Sequence, residues 1–223
     1  MRIIVNGTIG AGKTSLVNLL AQHTGFKSYT EIVDNDLMSK YYNDVDKINK
    51  GELQHSSHVF LAQMQIIKNR NKILDDSIKQ DSILDGSLID DKIFVNKQHE
   101  QHIMNDREYQ TYLYFYNMLF IRMQSELNKN NTINVFIESN DKQILHNIYK
   151  RSRDYETNEL NKYYLDIFHN YQKMLDQFEL TMKDNSNFVH ISNEKDFVNN
   201  KQYQQEVLSK IDTQIKKLQN CVA

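Results

Sequence analysis

With 223 residues, the chain has room for one well-buried domain carrying a small lid, and too little for two full domains. Its formal net charge of −2 and pI near 6.4 create no field that would gather nucleic acid or a membrane surface, so any anion must be gripped locally. The longest apolar run, residues 111–121, is far short of the roughly 20 needed to span a bilayer, and a single cysteine, Cys221, excludes an internal disulfide. With no leader pattern at the start, the expected location is a reducing cytoplasm. The absence of proline reads as codon bias and removes the usual turn punctuation.

In chain order, RIIVN at 2–6 predicts a fully buried strand, and 14–25 a helix closing on Gly25. FKSYTEIV at 26–33 contains a second strand. A long helix is predicted over 53–78, then a short strand, SILD, at 82–85. Residues 108–129 read as another long helix, apolar on more than one face. INVFIE at 133–138 is the fourth strand, a helix opens at Asp141, and NFVHIS at 187–192 is the fifth strand. The tail QYQQEVLSKIDTQIKKLQ closes the chain as an amphipathic helix. Strands parted by helices imply an α/β fold, a five-stranded parallel sheet covered on both faces, with ligands at the carboxyl ends of the strands.

The loop after the first strand is the strongest chemical signal. Gly7, Thr8, Ile9, Gly10, Ala11, Gly12, Lys13 and Thr14 match the phosphate-binding pattern G-x-x-x-x-G-K-[ST], and Ser15 is counted with them as nucleotide-binding. Glycines let backbone N–H groups turn inward around phosphate oxygens. Lys13 is expected on the β- and γ-phosphates of ATP, and the Thr14 hydroxyl on Mg²⁺. The loop does not say what receives the phosphate.

The helix over 53–78 carries a second signal. Its apolar pairs Val59/Phe60, Ile66/Ile67 and Ile73/Leu74 recur every seven residues, and Gln63 and Arg70 fall inside that stripe. A buried amide and a buried guanidinium are costly without partners. Either they satisfy the protein's own backbone or they line a pocket and read a polar ligand such as a nucleobase edge.

The order of motifs resembles the deoxyribonucleoside kinases, particularly the bacterial deoxyadenosine/deoxyguanosine kinases of low-GC Gram-positive bacteria and mycoplasmas. It runs through the P-loop, a glutamate at the end of strand two, F-x-x-Q-x(6)-R, D-x-S-x-x-x-D after strand three, and R-x-R-x-x-E. The resemblance implies a P-loop kinase fold with a short arginine-bearing lid at about 151–158. It implies γ-phosphate transfer from Mg·ATP to the 5′-hydroxyl of a deoxynucleoside, deoxyadenosine first, with deoxyguanosine or deoxycytidine as alternatives. Glu31 matches the general base and Asp85 the acid near Mg²⁺, while Asp85 as a cap for the helix after it is the plain structural alternative. Gln63, Arg70 and Asp91 match the base-reading set. Phe60 and Phe115 are candidate pocket walls, Phe115 more readily as core. Tyr42, with Tyr41 adjacent, and Glu156 match the pair on the 3′-hydroxyl. Arg151 and Arg153 match the lid arginines, and the family implies a homodimer.

Two departures from the pattern stand out. Gly86 takes the place of the arginine that normally follows the acid, with Lys92 as a candidate substitute, and Asn147 stands where some eukaryotic members carry a third lid arginine. A nucleoside monophosphate kinase and a catalytically weak nucleotide-binding regulator are therefore the rival readings.

Overall fold

Five strands lie parallel in the order β2-β3-β1-β4-β5: β1 (Arg2–Asn6), β2 (Lys27–Tyr29), β3 (Ser82–Asp85), β4 (Thr132–Glu138) and β5 (Asn187–Ser192). The structure is a computed structural model and describes residues 1–30, 34–127, 132–151, 153, 156–182, 187–197 and 199–220. Eight helices connect or cover the strands among these residues. They are α1 (Lys13–Thr24), α2 (Asn35–Asn49), α3 (Ser57–Ser77), α4 (Leu88–Glu100), α5 (Asp106–Leu127), α6 (Asp141–Lys150), α7 (Asn161–Met182) and α8 (Lys201–Asn220).

The central strands are buried along their whole length, which is why β1 reads as a continuous rather than alternating apolar run. Val5 pairs with Asp85 on one side and Val135 on the other. The loop leaving β1 therefore emerges beside the last residue of β3. That register builds the site.

Helix ends follow local chemistry. Gly25 closes α1 in the left-handed region, its N–H bonded to Ala21 O at 3.0 Å. Ser87 and Asp90 form a capping box on α4: the Ser87 hydroxyl accepts from Ile89 N–H, and the Asp90 carboxylate from Ser87 N–H. The helix expected over 53–78 begins only at Ser57. The Ser56 hydroxyl accepts from His58 N–H at 3.1 Å and donates to Asp44 on α2 at 2.6 Å, so the chain turns there. No helix among the described residues is long and apolar enough to cross a membrane.

Candidate active site

A cavity of about 830 Å³ opens at the carboxyl end of the sheet, within the size range of small-molecule sites. Its floor is the loop from Gly7 to Thr14. Lys13 Nζ folds back onto the loop, donating to Gly7 O at 2.5 Å and Thr8 O at 3.1 Å. Carbonyl contacts of this kind hold the ammonium over the loop, where phosphate oxygens would compete for it. The Thr14 hydroxyl donates to Asp85 Oδ2 at 2.6 Å. A hydroxyl and a carboxylate in contact form an oxygen donor set that fits Mg²⁺, which takes one or two protein oxygens and fills its octahedron with phosphate and water. No group of three or more His, Cys, Asp or Glu that could hold a metal occurs among the described residues. Asp85 does not cap α4; Ser87 does.

The other end of the cavity is a buried polar constellation. Gln63 is 2% exposed, Arg70 7% and Asp91 6%. Arg70 grips Asp91 in a fork, Nε to Oδ2 at 2.8 Å and Nη2 to Oδ1 at 3.1 Å, while Nη1 donates to Asp85 O at 2.7 Å. Gln63, two turns earlier on α3, has a buried Oε1 without a hydrogen-bond partner. Of the two alternatives for these side chains, Arg70 meets its cost with Asp91, and Gln63 lines the cavity unsatisfied. Asp85 joins the two ends: its carboxylate holds Thr14 and its carbonyl holds Arg70.

The lid residues meet each other. Arg151, at the C-cap of α6, donates to Glu156 from Nε at 2.7 Å and from Nη2, and Arg153 Nη1 lies 3.6 Å from the same carboxylate. Glu156 is almost fully buried, beside Tyr42. Of the adjacent tyrosines, Tyr41 has its hydroxyl tied to Tyr163 at 2.5 Å and to the Gln98 amide at 2.7 Å. Tyr42 packs edge-on against Tyr164 and faces the charges of Glu156 and Arg151; burial pushes its hydroxyl well above its ordinary value. That geometry separates two residues the sequence could not.

Glu31 lies outside the described residues; Thr30 and Asp34, on either side of it, line the cavity. Neither Phe60 nor Phe115 is a wall. Phe60 packs against the core and Phe115 is 42% exposed on α5, while Ile66 and Phe94 line the cavity instead. Lys92 is not a substitute for the absent arginine, because its ammonium lies over the Tyr116 ring, 5.0 Å from the centroid.

Asp90 is a cavity residue that sequence reasoning missed, since S-x-x-D at 87–90 reads simply as a cap. Burial pushes its carboxyl up to about 7, against the pull of Lys13 and Arg70. A carboxyl raised in the fold keeps a proton that the unfolded chain gives up near pH 4. The resulting stability is complete below that pH and is lost as pH rises through 7. Asp90→Asn keeps an acceptor for Ser87 N–H and cannot ionise. In ligand-free thermal melts its Tm should equal the parent's near pH 4 and exceed it by roughly 5 °C at pH 8. A difference that stays flat across that range would refute the assignment.

A glycine loop of this kind on a parallel sheet, opening into a cavity whose other end is a buried polar set, defines a P-loop nucleotide-binding fold. The family model described as deoxynucleoside kinase matches residues 3–216, and the chain belongs to that family of enzymes. Deoxyadenosine kinase of Lactobacillus acidophilus is 26% identical over 229 residues, covering 98% of each chain. Deoxyguanosine kinase of Lactobacillus johnsonii is 27% identical over 227 residues, covering 97% of this chain and 93% of that one. Among solved structures, deoxyadenosine kinase of M. mycoides with bound dCTP shares the fold at a TM-score of 0.73 and 23% identity, over 96% of this chain and 100% of that one.

Proposed function

We propose that the protein transfers the γ-phosphate of Mg·ATP to the 5′-hydroxyl of a deoxynucleoside, deoxyadenosine first, in nucleotide salvage. The observation that carries this reading is the buried Gln63–Arg70–Asp91 set in the same cavity as Lys13, Thr14 and Asp85. A polar acceptor-reading end and a phosphate-holding end face one space. Arg70 is committed to Asp91 rather than free for a second phosphate, which favours a nucleoside over a nucleotide as acceptor.

In this reading the base docks on Gln63, Arg70 and Asp91, and the 3′-hydroxyl on Tyr42 and Glu156. Glu31 takes the 5′-hydroxyl proton as that oxygen attacks phosphorus. Thr14 and Asp85 would hold Mg²⁺, which would supply charge neutralisation at the phosphates. Lys13, Arg151 and Arg153 surround the transferring group with positive charge that would be strongest in the transition state. Two chains would pair through α5, where Tyr114, Phe115, Met118 and Ile121 leave a contiguous helix face apolar and exposed.

A coupled ADP-release assay with Mg·ATP against the four deoxynucleosides, with deoxyadenosine monophosphate as control, tests the proposal. Turnover is expected on deoxyadenosine and none on the monophosphate. Tight nucleoside binding without turnover would overturn it in favour of a regulator of the same fold.

A further inference from the structure

Two side-chain amides hold the phosphate-binding loop by its carbonyls. Asn193, just past β5 and 7% exposed, donates from Nδ2 to Ala11 O at 2.7 Å. Asn147, on α6, donates from Nδ2 to Gly10 O, also at 2.7 Å. Neither is held loosely. Gln143, one turn earlier on α6, donates to Asn147 Oδ1 at 2.9 Å, which leaves the Asn147 NH₂ facing Gly10. The backbone N–H of Asn193 is fixed on Glu138 O at 2.8 Å, at the end of β4.

The consequence follows from the planar trans peptide, in which C=O and N–H point to opposite sides. Pinning Ala11 O on Asn193 aims the Gly12 N–H away from that amide, toward the side of the loop where an anion is cradled. Pinning Gly10 O sets the Ala11 N–H in the same way, and it closes onto Thr8 O at 3.2 Å inside the loop. Packing reinforces the clamp, because a Cβ on Gly10 would lie only 2.7 Å from Ile144 O of α6. The same helix ends at Arg151. Both amides are neutral donors, so they orient the loop's dipoles without drawing the phosphates toward themselves.

We propose that Asn147 and Asn193 are positioning residues for the phosphoryl donor: they fix the direction of the P-loop peptides, and Asn147 also keeps the helix that carries Arg151 in register with the loop. Asn147 is thus not merely the place of an absent arginine but a strut with its own task. The inference rests on the loop's nucleotide-binding role, not on which nucleoside is the acceptor.

The test is Asn193→Ala and Asn147→Ala, each measured by calorimetry with Mg·ADP alone and then by steady-state kinetics. Losing one clamp, and leaving a carbonyl unsatisfied, is expected to weaken ADP binding and raise KM for ATP about tenfold, with KM for the deoxynucleoside within twofold. Asn147→Ala should in addition lower kcat, because the helix bearing Arg151 is released. ADP affinity within twofold of the parent in both variants would overturn the proposal. So would a joint rise of both KM values with a fall in Tm, the signature of a general folding role. ADP binding needs no acceptor, so a parent protein that binds ADP but phosphorylates no nucleoside would overturn the proposed function and leave the clamp standing.

Discussion

Replacing Arg70 with methionine is expected to lower kcat/KM for deoxyadenosine by at least about 10³-fold and to destabilise the fold by about 3–5 kcal/mol. The two effects have different origins. The stability loss comes from Asp91, whose carboxylate is 6% exposed and receives both arms of the Arg70 fork. Without Arg70 it becomes an unpaired buried charge, and the Asp85 carbonyl loses the Nη1 donor as well. The activity loss comes from the ligand, which would find an apolar side chain where a rigid, charged donor fork should stand. A second variant separates the two. Arg70→Met combined with Asp91→Leu removes both charges, and well-packed apolar replacements of a buried pair are often neutral. Chemical denaturation should show most of the stability restored, while kcat/KM stays at the level of the single variant. If Arg70→Met alone kept kcat/KM within tenfold, the fork would be a structural pair and the base would be read elsewhere.

The sheet was legible because its central strands are short apolar runs buried along their length, and the bounds of β1, β3 and β5 match the predicted ones. Gln63 and Arg70 were legible for a related reason: polar side chains inside a helical apolar stripe are conspicuous, and both are buried. What escaped was everything set by contact between distant elements. Asn147 and Asn193 are 46 positions apart and gain meaning only from two adjacent P-loop carbonyls. Asp90 completes the capping box with Ser87, and nothing local announced that it would also be buried near Lys13 and Arg70. Tyr41 and Tyr42 are told apart by their surroundings: the Tyr41 hydroxyl is tied to Tyr163 and Gln98, and Tyr42 faces Glu156 and Arg151. Aromatic residues misled in two places: Phe60 packs against the core, and Phe115 sits on the exposed face of α5, because the long helix is wider in apolar surface than one core requires.

Gly86 is the position where sequence and structure give opposite expectations, and its substitution is the second large effect. Set against the family pattern, glycine looks like a lost catalytic arginine that could be restored. In the fold, Gly86 has φ +83°, a left-handed conformation costing a residue with a side chain roughly 1–2 kcal/mol. A Cβ there would lie 2.7 Å from Arg70 Nη2 and 3.1 Å from Asp90 Oδ2. Arg70 could move aside only by breaking the fork to Asp91 and its bond to Asp85 O. The space of the missing side chain is thus already filled by the guanidinium and the carboxyl that make this pocket. Gly86→Ala is therefore expected to raise KM for the deoxynucleoside at least about tenfold, if the fork reads the base as proposed, while KM for ATP stays within twofold because the atoms nearest the added Cβ belong to Arg70 and Asp90. Gly86→Arg should be no more active than the alanine variant, with a lower Tm. Positive charge at the phosphoryl group would come from Lys13, Arg151 and Arg153 in the parent and needs no fourth donor. A kcat raised by orders of magnitude in Gly86→Arg, with KM for the nucleoside unmoved, would mean instead that the pocket yields to the new side chain and that glycine had been holding the enzyme silent.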